Sequence, residues 1–171
     1  MDRLIIRKAK PRDYEGIWNI IRAVISTGEF YAFRPGTPKE VMLGYWCGSD
    51  KHTYVAEIET GIAGTFIIKD NQPGLGSHIA NASFMTSPNT EGRGIGTSMG
   101  RFCLDEARAL GYSAIQFNLV VKSNDSAVRL WKRLGFQIIG EIPDAFDHTV
   151  LGLTNAYIMY QKPLHRDLFE N

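Results

Sequence analysis

The residues Thr86-Ser87-Pro88-Asn89-Thr90-Glu91-Gly92-Arg93-Gly94-Ile95-Gly96-Thr97 have the types and spacing to hold an anion. A strand reads into this stretch and a helix reads out of it. Glycines let the backbone come close to a ligand and adopt dihedrals that other residues avoid. The first N–H groups of the helix lack intrahelical partners, and with the helix dipole they favour an anion, most often phosphate. The Arg93 guanidinium and the Thr97 hydroxyl could add donors. A tight turn that merely joins strand to helix is the other reading. A nucleoside-triphosphate P-loop would need Gly-Lys-Ser/Thr at the helix start, and no lysine is there. A dinucleotide fold would need a third glycine where Thr97 stands, and a carboxylate about 20 residues on, where the chain around Gln116 is apolar or amide.

Two asparagines are a second chemical signal. Asn81 lies within Ile79-Ala80-Asn81-Ala82-Ser83-Phe84, and Asn118 within Ile115-Gln116-Phe117-Asn118-Leu119-Val120. Asparagine is disfavoured in strands, and a buried amide needs partners. Both residues could hold a polar ligand. Equally, they could sit at ladder ends or bulges, bonded to backbone. The histidines, His52, His78, His148 and His165, have no metal-ligand spacing. Of these, His78 lies near the start of the Ser77–Thr86 strand, where a surface or turn role is the simpler reading.

The elements that must position these groups follow from periodicity and punctuation. Leu4–Ala9 reads as a strand. Pro11 and Asp13 open a helix whose Ile17, Ile20, Ile21, Val24 and Ile25 share a face. An aromatic loop, Ser26–Thr37, carries Phe30, Tyr31, Phe33 and Arg34, and Pro38 starts a short helix over Lys39–Cys47. Tyr54–Ile58 and Ile62–Ile68 flank a Thr60-Gly61 hairpin signal. Ser77–Thr86 is a strand, Gly94–Leu110 a helix closed by Gly111, and Ala114–Val121 a strand. Asp125–Leu134 is a helix with Ala127, Leu130, Trp131 and Leu134 on one stripe and Gly135 as its cap. Phe136–Glu141 and Asn155–Gln161 are the last strands, and a polar tail starts at Pro163. The order β-α-α-β-β-β-α-β-α-β-β predicts one mixed sheet with helices on both faces.

With 171 residues, 44% apolar and 22% charged, the chain has the size and composition of one globular domain. A net charge of +1 argues against a broad footprint for nucleic acid or anionic membrane. Charge begins at once in Met1-Asp2-Arg3-Leu4, which argues against a signal peptide, and no apolar run is long enough to span a membrane. Two cysteines, Cys47 and Cys103, are too few for a disulfide scaffold and read as a reducing, cytoplasmic setting.

The glycine loop, the strand before it and the block Asn124-Asp125-Ser126-Ala127-Val128-Arg129-Leu130-Trp131-Lys132-Arg133-Leu134-Gly135-Phe136 together resemble the GNAT superfamily of N-acetyltransferases. That family carries Gln/Arg-x-x-Gly-x-Gly/Ala and then Asn-x-x-Ala-x-x-Leu-Tyr-x-x-x-Gly-Phe. The resemblance implies an α/β single-domain GNAT-like fold, with a mixed sheet of about six to seven strands flanked by about four helices. It assigns residues 1–162 to an N-acetyltransferase domain and 163–171 to the tail. It also implies acetyl-CoA as cosubstrate, with no metal, and a small-molecule amine as acceptor. Neither nucleic acid nor membrane is implied as a partner, and a homodimer is left open. Alternatives are a non-catalytic acyl-CoA-binding module and an acetylase of proteins or peptides.

In that family the backbone of Phe84, Met85 and Thr86 would pair with the pantetheine arm, and the amides of Gly92, Arg93, Gly94, Ile95, Gly96 and Thr97 would hold the pyrophosphate. Asn124 would contact acetyl-CoA, cap the last helix, or both. The flanking residues sharpen the likeness to a subgroup that contains a fungal proline-analogue (azetidine-2-carboxylate) N-acetyltransferase. There, asparagines at the positions of Asn81 and Asn118 are associated with the acceptor. Two departures stand out. Glu91 replaces the usual Gln/Arg and is expected to point outward. Trp131 stands where the family has its proton-donating tyrosine, and an indole N–H is a donor that will not act as an acid. Its amphipathic position favours a core role. No carboxylate lies on Ser77–Thr86, and Leu119 holds a position where some members have glutamate, so a general base is not identified. Bulky loops at Phe30–Phe33 and Asp144–Leu153 are expected to close a small-molecule pocket.

Overall fold

The computed structural model describes residues 3–162, so the expected tail at 163–171 lies outside the described residues. Seven strands form one sheet in the order β1-β2-β3-β4-β5-β7-β6: Ile5–Lys8, His52–Ile58, Gly61–Asp70, Ile79–Thr86, Ala114–Val121, Gln137–His148 (β6) and Gly152–Gln161 (β7). Four helices flank it: α1 (Tyr14–Ile25), α2 (Lys39–Trp46), α3 (Ile95–Ala109) and α4 (Asp125–Arg133). The element order is the one read from periodicity.

Each helix buries the stripe its sequence marks. Ile17, Ile20, Ile21 and Ile25 of α1 pack with Met42 and Trp46 of α2 on one face of the sheet, against Val55, Ile67 and Met85. Ile95, Met99 and Cys103 of α3 and Trp131 of α4 pack on the other face, against Phe66, Ile68 and Phe117. Helices therefore cover both faces. Among the described residues no helix is long and apolar enough to cross a membrane.

All neighbouring strands are antiparallel except β4 and β5. That parallel pair is joined only at Ile79↔Ala114 and Ala80↔Ile115, so beyond Ala80 the two strands part and leave a gap in the sheet. Every fold-level consequence for function starts from that gap.

The β6–β7 hairpin departs from the sequence expectation. Asp144–Leu153 is not a loop: β6 continues to His148 and β7 begins at Gly152, leaving only a short hairpin turn between them. Pro143 and Asp144 interrupt the strand signal in sequence. The sheet accommodates them because β6 is an edge strand, where proline's missing N–H costs no ladder bond. The register also shifts between Ile142 and Phe146, with Asp144 at φ 50°.

Candidate active site

The gap between β4 and β5 opens into a cavity of about 340 Å³ that reaches both faces of the sheet. Asn81, Ser83 and Asn118 line it, as do Phe84, Phe117 and Trp131. Phe30, Tyr31 and Phe33 wall it, as the aromatic loop was expected to do, whereas Arg34 is exposed and does not line it. The β6–β7 turn braces that loop: the Thr149 hydroxyl donates to the Thr27 carbonyl at 2.8 Å, and Thr149 N–H donates to the Gly28 carbonyl at 3.4 Å.

Asn81 sits where the parallel ladder ends. Its Nδ2 donates to the Gln116 carbonyl across the widening gap at 2.9 Å, so part of this amide serves the sheet. Its Oδ1 accepts no hydrogen bond from the described residues. Asn118 occupies the register irregularity of β5 between Phe117 and Val120, which explains an asparagine within a strand. Its Oδ1 accepts from Gln116 at 2.9 Å, and its Nδ2 donates to Asn71 at 2.8 Å. Asn118 is exposed on the cavity, and Asn81 is 9% exposed. The structure thus brings the two amides to one cavity, while their ladder-end and bulge positions also hold.

Of the three β4 residues expected to offer backbone to a ligand, two face the gap. Antiparallel pairing alternates the direction of N–H and C=O along a strand. The Phe84 N–H donates to the Tyr31 hydroxyl at 2.9 Å, and that hydroxyl donates to the Phe84 carbonyl. Phe84 and Thr86 therefore turn their backbone groups away from β3, and the intervening Met85, opposite Thr65, turns its own toward β3. Met85 contributes a fully buried side chain to the core and not backbone to the gap. Burial at this position pushes the Tyr31 phenol far above its ordinary pKa, so it stays protonated. The hydroxyl of Tyr31 is a feature that sequence reasoning missed. Tyr31 reads in sequence only as one of several loop aromatics.

Trp131 is 7% exposed and packs at tilted or edge-on angles among Phe84, Phe117 and Phe136, with ring centroids 4.8, 4.7 and 5.7 Å away. It is a core residue, as its helical stripe indicated, and it lines the cavity as well. Its indole N–H has no acceptor among the described residues.

At the other end of β4, Gly92 and Gly94 both have φ +74°, the left-handed region that favours glycine, and a Cβ at either would meet nothing within 4 Å. Gly94 is the N-cap of α3 and makes no side-chain cap, so the amides that follow through Ile95, Gly96 and Thr97 open the helix without a side-chain partner. Arg93 and Glu91 are exposed, the latter as expected. Asn124 caps α4: its Oδ1 accepts from Ala127 N–H at 3.2 Å and from the Ser126 hydroxyl at 3.0 Å, and the residue also lines the cavity. Its two expected roles are compatible.

His78 is a turn histidine, with Nδ1 3.1 Å from the Leu75 carbonyl. His148 is buried at the hairpin turn, where its Nδ1 accepts from the N–H groups of Val150 and Leu151. Cys103 is buried and Cys47 half-buried; burial pushes the Cys47 thiol up to about 11 and that of Cys103 higher still, so neither is a ready nucleophile. Among the described residues no group of three or more His, Cys, Asp or Glu could hold a metal ion.

A model of the acetyltransferase (GNAT) family matches residues 18–136. A GCN5-related N-acetyltransferase from Kribbella flavida is 37% identical and superposes with a TM-score of 0.88, over 93% of this chain and 97% of that one. The N-acetyltransferase aca1 of Schizosaccharomyces pombe is 40% identical over 96 residues, which is 56% of this chain. The match spans 46% of the length of aca1. The fold is shared with yncA of Salmonella typhimurium, solved with its cofactor acetyl-CoA, at a TM-score of 0.83 and 19% identity over 96% of each chain.

Proposed function

This chain belongs to the acetyltransferase (GNAT) family, and from that footing we propose that it moves the acetyl group of acetyl-CoA to the amine of a small molecule. The observation that carries this reading is the parted β4–β5 pair, with β4 backbone that no strand pairs on one side of the gap and two amides in it.

Acetyl-CoA fits the residues present. The glycine turn at Gly92–Gly94 leaves room beside the α3 N-terminus, and a pyrophosphate there would meet amides that no side chain caps. Arg93, Ile95, Gly96 and Thr97 complete that turn, while Asn124 lines the cavity from the start of α4. When bound, acetyl-CoA supplies an activated acyl carbon. The edge groups of Phe84 and Thr86 would hold its arm, and the Phe84 N–H would stabilise negative charge developing on the carbonyl oxygen. The Tyr31 hydroxyl, which now occupies Phe84, would exchange for it.

The acceptor would enter from the α1/α2 face, between Asn81 and Asn118. Its amine attacks the thioester carbonyl directly: a C–N bond forms, the C–S bond breaks, and the amine's proton leaves to solvent. Holding both reactants together supplies most of the acceleration, because among the described residues no carboxylate or histidine lines the cavity to act as base. A thiol's reference pKa of about 8.5 makes the departing thiolate tolerable without an acid, and Trp131 packs and shapes the gap. The braced aromatic loop and the limited cavity volume favour a small acceptor over a peptide. The two unpaired thiols suit a reducing, cytoplasmic setting.

The lack of a base in the cavity also favours a second reading, an acyl-CoA-binding module without turnover. Thiol release from acetyl-CoA in the presence of a panel of amines, with product masses, separates the two. Release matched by N-acetylated product supports transfer, and binding without release supports the module.

A further inference from the structure

The cavity carries a one-sided charge. Three asparagines and a serine line it, no carboxylate does, and Lys69 is its one charged lining residue among the described residues. Lys69 lies near the end of β3, directly opposite Asn81 of β4. It shares the sheet face of Ile67, which packs under α1 and α2. It is therefore on the acceptor side of the gap. Its Nζ lies 5.6 Å from the centroid of the Tyr45 ring, which is itself edge-on to Phe33 at 5.0 Å. That contact steadies a long, mobile side chain and leaves the ammonium's hydrogen-bonding capacity unspent.

A lysine at a cavity often has a carboxylate of its own to answer. Lys69 makes no ion pair with any described residue. The carboxylate that feels its field is Asp50, which does not line the cavity, and the Lys51 ammonium holds it at 2.7 and 2.8 Å. Lys51 also sits over the Tyr45 ring, at 4.8 Å, so the local balance is two cations to one carboxylate. Asp70, next in sequence, accepts from the Tyr112 hydroxyl at 2.7 Å.

Resting on the small-amine reading above, we propose that Lys69 is the anion-recognition point of the acceptor pocket, so that an acceptor carrying a carboxylate is preferred over its neutral and cationic analogues. The register supports the span. Asn81, opposite Lys69, is three residues from Phe84, about 10 Å along the strand at about 3.3 Å per residue. A lysine stem is long enough to span part of that distance. Asn118, tied to Asn71, adds amide groups on the same side without adding a competing charge. The same ammonium repels diamines and the side chains of basic peptides, so selection works by repulsion as well as attraction.

The test is steady-state acetylation of α-amino acids, their carboxamides and simple diamines by the wild-type chain, Lys69→Met and Lys69→Arg. At least one amino acid should exceed its carboxamide in kcat/KM by about tenfold or more, the value of a hydrogen bond to a charged group. Lys69→Met should erase that preference by raising KM for the acid, while kcat/KM for the carboxamide stays within about twofold; Lys69→Arg should restore part of it. Carboxamides or diamines turned over as well as acids, or an equal loss for acid and carboxamide in Lys69→Met, would overturn the role of Lys69 and leave acetyl transfer standing. No transfer to any member of the panel would overturn both.

Discussion

At the scale of single residues, the proposed chemistry would rest on groups whose local structure leaves them half used. The Tyr31 hydroxyl takes both backbone groups of Phe84, the same groups an acyl-CoA arm would need. Tyr31→Phe removes the competitor and should tighten acetyl-CoA binding by about three- to tenfold, the worth of one net hydrogen bond. Calorimetric titration reads this directly, and weaker binding would make the hydroxyl a ligand and not a place-holder. Asn118 keeps its amide on the cavity, so Asn118→Ala should lower the acceptor's kcat/KM about ten- to hundredfold with acetyl-CoA affinity nearly unchanged. Equal loss toward both substrates would assign the amide to the sheet. Trp131→Phe should leave the shape of the pH–rate profile intact, since an indole N–H does not titrate there; loss of a basic limb would contradict that. The asparagines were legible in sequence because strands disfavour them. Lys69 and the hydroxyl of Tyr31 were not, because neither breaks a pattern: only the pairing of β3 with β4 and the fold of the aromatic loop bring them to the gap.

At the scale of elements, two junctions set the site. The first is the turn from β4 into α3. Gly94→Glu places a side chain on a residue at φ +74° and a negative charge beside the helix start, and it should abolish acetyl-CoA binding in a folded protein. Unchanged affinity by calorimetry would move the pyrophosphate elsewhere. The second is the seat of α4 on α3. A Cβ at Gly100 would lie 2.4 Å from Leu134 Cδ1 and 3.2 Å from the Trp131 ring, so Gly100→Ala forces Leu134 to shift and crowds Trp131. Overpacking of this kind costs about 1–3 kcal/mol, and a lowered melting temperature should accompany it. Most elements were legible, because helical stripes such as that of α1 and glycine stops such as Gly135 mark them plainly. The second half of β6 was not, because Pro143 and Asp144 look like a break and only an edge position with a bulge lets the strand run through them.

At the scale of the whole molecule, one sheet with helices on both faces is opened at a single seam, and on the proposed reading each face would serve one reactant. Away from that seam lies a buried ion pair, Asp13 with Arg7. Asp13 is buried and takes two bonds from the Arg7 guanidinium, at 2.7 and 2.9 Å, and one from Lys10 N–H, which hold its carboxyl below the usual carboxylate range. A carboxyl depressed in the folded state stabilises fully above its unfolded pKa of about 4, and loses that contribution as pH falls through the folded value. Asp13→Asn should therefore lower stability near neutral pH by about 2–3 kcal/mol and flatten the acid limb of a melting-temperature profile; an unchanged acid limb would place the titrating group elsewhere. The central claim, acetyl transfer to a small amine within the β4–β5 gap, is tested most directly by incubating the chain with acetyl-CoA and a panel of small amines and following CoA thiol and product mass together. The expected result is thiol release equal to one N-acetylated amine, lost in Gly94→Glu. Acetyl-CoA bound at the glycine turn with no amine acetylated, or thiol release with acetate as the sole product, would contradict it.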